Sequence, residues 1–245
     1  MNGQDQAGSS GKPPTGDGRR AWVLGIDTAT TRVVVAAATP DGSFLGATSW
    51  EAGYRHGEQL LPSIGRLHGE LNLRRSRIAA IVVGTGPGAF TGLRVGIATA
   101  KALAHALDRP IVGVSSGEAL IASAGDASPQ EPPEWIALLL PAGPSDRIVV
   151  RAGQAPSLLP GGVDPELAAD EILVAVDLDG RAPADASARG DRARDGLAAA
   201  IMRLGTARLA AGDVDDLARL VPDYVTLPRG VRATTGEVAW SRDLR

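Results

Sequence analysis

The segment Val82-Val83-Gly84-Thr85-Gly86-Pro87-Gly88-Ala89-Phe90-Thr91-Gly92-Leu93-Arg94 joins two apolar runs of different period. Before it, residues 78–83 are continuously apolar, with β-branched residues at Ile78, Ile81, Val82 and Val83, which predicts a buried strand. After it, Leu93, Val95, Ile97, Ala98, Ala100, Leu103, Ala104 and Leu107 make a broad helical surface. Thr91 is the expected N-cap. A glycine-dense strand-to-helix turn either cradles an anion or fits tightly against another segment. Three known motifs test the first use. A P-loop needs Lys after its last glycine, and Leu93 stands there. Gly84-Thr85-Gly86-Pro87-Gly88-Ala89 matches the dinucleotide fingerprint, but Pro87 removes an amide and the next strand ends at Ser115 rather than at an acid. Gly113-Val114-Ser115-Ser116-Gly117 has the nucleophile-elbow spacing, which needs a later His. His56, His68 and His105 all precede it, so the segment reads as a tight turn with Ser116 as cap.

The order of predicted elements sets the fold class. Strands end at Asp27, run from Arg32 to Ala38, turn at Pro40-Asp41-Gly42, and continue from Phe44 to Trp50. A helix over 57–71, the strand at 78–83, a helix over 91–107, a strand at 111–114 and a helix from Ser116 follow. Three short-linked strands and then strand–helix alternation are the order of a ribonuclease H-like unit. Gly125 to Pro133 reads as a linker. Strands at 135–140, 147–152 and 171–176 suggest a second, reduced unit. Residues 181–192 read as an exposed polar loop, and Leu197 to Ala210 as a helix ending near Gly212. Two such units facing each other make the actin-like ATPase architecture, an α/β fold with mixed sheets. The expected boundaries are 1–20 for a disordered arm, 21–123 for the first domain, 124–134 for a linker, 135–226 for the smaller domain and 227–245 for a tail.

Composition narrows the function classes. The net charge of −3 and 3% aromatics give little grip on nucleic acid, so the chain alone is expected to bind it weakly. The absence of cysteine removes thiol chemistry and fits a reducing, cytoplasmic setting. No run is long and apolar enough for a membrane span or a signal peptide. The three histidines lack metal-ligand spacing, so neither a bound metal nor metal catalysis is expected.

Five segments together resemble the TsaB (YeaZ) family, accessory proteins in making N6-threonylcarbamoyladenosine in tRNA. They are Gly25-Ile26-Asp27-Thr28-Ala29-Thr30, His56-Gly57-Glu58-Gln59-Leu60-Leu61-Pro62, Gly86 to Arg94, Gly113-Val114-Ser115-Ser116 and Val221-Pro222-Asp223-Tyr224-Val225. Where that family carries Ile-Asp-Ala-Arg, this chain has Leu140-Pro141-Ala142-Gly143-Pro144-Ser145-Asp146. The resemblance implies a non-catalytic scaffold subunit that pairs with a TsaD-like catalytic subunit and works with a TsaE-like ATPase. The product is the modification at A37 of tRNAs reading ANN codons, with tRNA met only through the complex. It implies a partner interface on two helices, at Leu60, Leu61, Ile64, Leu67, Leu71, Leu93, Val95, Ala98 and Ala102, used for a homodimer when the chain is alone. No cofactor of its own is expected, with ATP held only at the complex interface. A degraded phosphate site is the other candidate, at Asp27, Thr28, Thr30, Gly86, Gly88 and Thr91, where Ala29 replaces the usual glycine. A second phosphate loop is sought after Val176, at Asp177-Leu178-Asp179-Gly180. The alternatives are a stand-alone actin-like ATPase or kinase, an M22-type metallopeptidase homologue and a ribonuclease H-like nuclease.

Overall fold

The computed structural model describes residues 20–51, 56–128 and 130–225. The arm read at 1–20, except Arg20, and the tail at 227–245 lie outside the described residues, as does the side chain of His56.

Strands β1 (Trp22–Asp27), β2 (Arg32–Ala38) and β3 (Phe44–Glu51) form an antiparallel meander. Its second turn is closed by Asp41 Oδ1, which accepts the Ser43 amide at 3.0 Å. Helix α1 (His56–Glu70) leads to β4 (Ile78–Gly86), which returns to the sheet parallel to β1. Helix α2 (Phe90–Leu107), β5 (Ile111–Ser115) and α3 (Ser116–Ala127) complete the first unit. The strand order is β3-β2-β1-β4-β5. Strands β1 and β4 are apolar at nearly every position because both faces of this sheet are covered by helices.

The second sheet contains β6 (Ile136–Pro141), β7 (Arg147–Val150), β8 (Ser157–Leu159) and β9 (Ile172–Ala175), in the order β8-β7-β6-β9. β6 pairs antiparallel with β7 and parallel with β9. This repeats the order of the first sheet without its fifth strand, and no helix lies between β8 and β9. The two-unit, actin-like arrangement with a reduced second unit follows directly.

One core spans both units. It packs one face of the first sheet and one face of the second around α3 and α4 (Ala184–Ala210), with Val82, Leu120, Leu138 and Ile201 at its centre. A second core lies between the other face of the first sheet and α1 and α2.

Several expectations change. Residues 184–192 belong to α4 rather than to a loop. The sequence there is polar because that turn of helix is half solvated, and Ala186, Gly190 and Ala193 supply the narrow buried stripe. The Asp185–Arg189 pair, four residues apart at 2.9 Å, supports the solvated side. α3 continues to Ala127, into the stretch read as a linker. α2 starts at Phe90 after Ala89, whose side chain caps nothing, so Thr91 is an exposed first-turn residue and not the N-cap. Ser115, not Ser116, caps α3, its Oγ accepting the Glu118 amide at 3.2 Å.

After α4 the chain returns along the free edge of β5. The Asp215 amide donates to the Ile111 carbonyl at 2.9 Å, and Asp215 Oδ2 accepts the Gly113 amide at 2.7 Å. Further on, the Asp223 amide donates to the Thr85 carbonyl at 2.8 Å. This segment covers what would otherwise be an open sheet edge.

Candidate functional site

The turn after β1 and the glycine turn after β4 lie against each other. Asp27 is wholly buried at the end of β1. Its Oδ1 accepts the Ala29 amide at 2.9 Å and its Oδ2 accepts the Ser116 hydroxyl at 2.6 Å. Ser116 Oγ accepts the Gly86 amide in turn, at 3.2 Å. Burial pushes the Asp27 carboxyl above its ordinary value of 3.8, against the pull of its two hydrogen bonds. Gly84 is required beside it, since a Cβ there would stand 1.9 Å from Asp27 Oδ2. Gly88 lets the second turn seat on the first: the Ala89 amide donates to the Ala29 carbonyl at 2.7 Å, and a Cβ on Gly88 would come within 2.2 Å of that oxygen. The glycines therefore serve close packing of one turn on another.

The other candidate phosphate ligands are committed internally. The Thr28 hydroxyl donates to the Gly92 carbonyl at 2.8 Å, and the Thr30 hydroxyl to the Arg32 carbonyl at 2.8 Å. Thr28 and Thr30 are buried. These residues do not offer the free donors that a nucleotide triphosphate needs. The second-sheet counterpart of the β1–β2 turn is the β6–β7 hairpin at 142–146, because β6 occupies the place of β1. The Asp177–Gly180 turn follows β9 and is the counterpart of the end of β4. Asp177 instead reaches across to Thr31, accepting its amide at 2.6 Å and its hydroxyl at 2.7 Å. Sequence reasoning missed Ser116, Asp177 and Arg194 as partners. An acid placed just after a predicted strand was the available signal for Asp177, whereas Arg194 stood next to a segment read as loop.

The two helices resolve into an inner and an outer face. Leu60, Ile64, Leu67 and Leu93 are buried in the chain's own core, so they cannot present side chains to a partner. Leu71 and Val95 are half-buried against that core. Leu61 is 57% exposed, and Ala98 and Ala102 are exposed. The outer face of α1 carries Leu61, Gly65 and Gly69, one turn apart, and that of α2 carries Ala98, Ala102 and Ala106 with the same spacing. The apolar circumference read from the sequence thus divides into core leucines inside and small residues around Leu61 outside.

A cleft of about 790 Å³ separates the units, lined by the Pro87–Phe90 turn, the β6–β7 hairpin, Leu158 and Tyr224. Phe90 and Tyr224 have ring centroids 5.0 Å apart, and the Arg94 guanidinium lies 3.9 Å over Phe90 while its Nε donates to the Tyr224 hydroxyl at 2.9 Å. Among the described residues no group of three or more His, Asp or Glu could hold a metal ion, and no helix is long and apolar enough to cross a membrane.

Residues 44–167 match the family model described as TsaD, tRNA N6-adenosine threonylcarbamoyltransferase. An uncharacterized protein of Mycobacterium leprae is 41% identical over 108 residues, covering 42% of this chain and 30% of that protein. The tRNA threonylcarbamoyladenosine biosynthesis protein TsaB of Bacillus subtilis is 40% identical over 68 residues, covering 28% of this chain and 30% of that protein. The matches thus span under half the length of these curated relatives. The solved structure of YeaZ from Pseudomonas aeruginosa superposes with a TM-score of 0.64 at 26% identity, covering 83% of this chain and 99% of that one. With the fold, the family-model match and the named relatives in agreement, the chain belongs to the TsaB (YeaZ) family, within the wider family described by the TsaD model.

Proposed function

We propose that this chain is a non-catalytic subunit of the apparatus that forms N6-threonylcarbamoyladenosine at A37 of tRNAs reading ANN codons. It acts by pairing with a TsaD-like catalytic subunit through the outer face of α1 and α2. The observation that carries the reading is the exposure of Leu61 beside the small-residue rows Gly65–Gly69 and Ala98–Ala102–Ala106. Small residues let helix backbones approach closely, and an exposed leucine among them supplies apolar anchoring area. Without that partner the same face pairs two copies of the chain. The TsaE-like ATPase and tRNA are met through the complex, and ATP belongs to the complex rather than to this chain. The commitment of Thr28 and Thr30 to main-chain carbonyls and the burial of Asp27 favour this over a stand-alone ATPase or kinase.

The test has two arms. Purified chain is mixed with the TsaD-like protein of the same organism, and complex mass is measured for wild type and for Leu61→Glu. tRNA from a deletion strain, complemented with either form, is assayed for threonylcarbamoyladenosine. Loss of complex and of modified tRNA in Leu61→Glu, with its fold intact, is the expected result. Normal modification in the deletion strain would overturn the reading.

A further inference from the structure

Three donors from two units converge on one carboxylate. Asp177 lies just after β9 in the second unit, and its side chain is only 5% exposed. It accepts the Thr31 amide at 2.6 Å, the Thr31 hydroxyl at 2.7 Å and Arg194 Nη1 at 3.0 Å. Thr31 belongs to the first unit's β1–β2 turn, 146 positions away. The φ of +57° at Asp177 is one that few non-glycine residues adopt, though Asp tolerates it better than most.

A main-chain amide, a hydroxyl and a guanidinium aimed at one point form a binding place for a small oxyanion. The surroundings limit its charge. Arg194 also contacts Asp191 at 2.7 Å and Glu51 at 3.8 Å, so a doubly charged guest would meet further carboxylates. Arg194 Nε is buried with no hydrogen-bond partner, leaving donor capacity beside the carboxylate.

We propose that Thr31 and Arg194 form a seat for a singly charged oxyanion, and that the Asp177 carboxylate is its tethered occupant, clamping the second unit to the β1–β2 turn. Tethering gives the carboxylate a high effective concentration, which excludes free anions from the seat. The clamp is independent of the pairing face on α1 and α2, and it stands or falls separately from the proposed role in tRNA modification.

Removing the occupant should let a free anion take its place. Asp177→Gly deletes the carboxylate and accepts the positive φ. Thermal unfolding of the full chain is followed in sodium formate and in sodium chloride at equal ionic strength. The variant is expected to melt on the order of 5 °C below wild type in chloride. Formate should raise the variant's midpoint with increasing concentration and leave wild type at its chloride value. Adding Arg194→Gln to Asp177→Gly should abolish the response. An equal formate effect on wild type and variant, or none on either, overturns the proposal. If the variant does not fold in chloride, the fraction refolded in formate against chloride becomes the readout, and no difference between them overturns it equally.

Discussion

Ser116 donates its hydroxyl to Asp27 Oδ2 across 2.6 Å, tying the start of α3 to the end of β1 where no solvent reaches. The cost of this position falls on the charged form of Asp27. Its folded pKa lies above the ordinary value of 3.8, so between the two values the folded state binds more protons than the unfolded state. The stability this group contributes is therefore complete below about pH 3.8 and is lost as pH rises through the folded value.

Asp27→Asn should remove that dependence. Urea unfolding of both proteins at pH 4, 5.5 and 7 should show the variant gaining on wild type as pH rises. A constant or shrinking difference across the series would mean that Asp27 is ionised at little cost in the fold.

Three glutamate substitutions separate the inner and outer faces of the helix pair. Leu60→Glu places a carboxylate in the core and should cost several kcal/mol, enough to unfold much of the sample. Leu61→Glu and Ala98→Glu should change monomer stability by no more than about 0.5 kcal/mol. Both should weaken association with the partner, or between copies, at least tenfold. Thermal melts beside light-scattering mass distinguish these outcomes, and well-folded variants of unchanged mass would move the interface elsewhere.

Gly88 and Gly65 should respond oppositely to alanine. At Gly88 the new Cβ would meet the Ala29 carbonyl at 2.2 Å, and main chain cannot yield cheaply, so a loss of about 2 kcal/mol or more is expected. At Gly65, inside α1, nothing lies within 4 Å of the added Cβ. There alanine should stabilise by about 0.5–1 kcal/mol through helix propensity. Denaturant midpoints give both signs.

The order of elements in the first unit was legible because its signals are local: runs such as Ile78–Val83 and the turn residues at 40–42 need only their neighbours to be read. The start of α4 was not, since its buried stripe is only Ala and Gly, which carry no hydrophobic contrast against Asp and Arg. The helix pair shows the limit most plainly. Leu60 and Leu61 are chemically identical neighbours, and only the packing of α1 on the first sheet makes one core and the other surface. The candidate site was opaque for a similar reason, because Asp27 with its threonines looks like a ligand set until the partners of Thr28 and Thr30 are known. Those partners are main-chain carbonyls, which leave no mark in a sequence.

Asp215→Ala should loosen β5. The Gly113 amide loses its acceptor and Arg208 loses a contact at 3.2 Å, for a cost of about 1–3 kcal/mol. Hydrogen exchange at Gly113 should accelerate well before that of Val82 in the central strand. Equal protection at both would show that the returning segment does not guard the edge.

That returning segment also bears on the order of events during synthesis. Asp215 closes onto Ile111 and Gly113, and Asp223 onto Thr85, so the first sheet borrows its boundary from residues made more than a hundred positions later. A nascent chain halted after the first unit carries a mixed sheet with its last parallel strand unguarded. It also lacks α4, which covers one face of that sheet. The ribosome therefore cannot release this protein piece by piece as finished units, and the interval before residue 223 emerges is when a chaperone would find the most exposed surface.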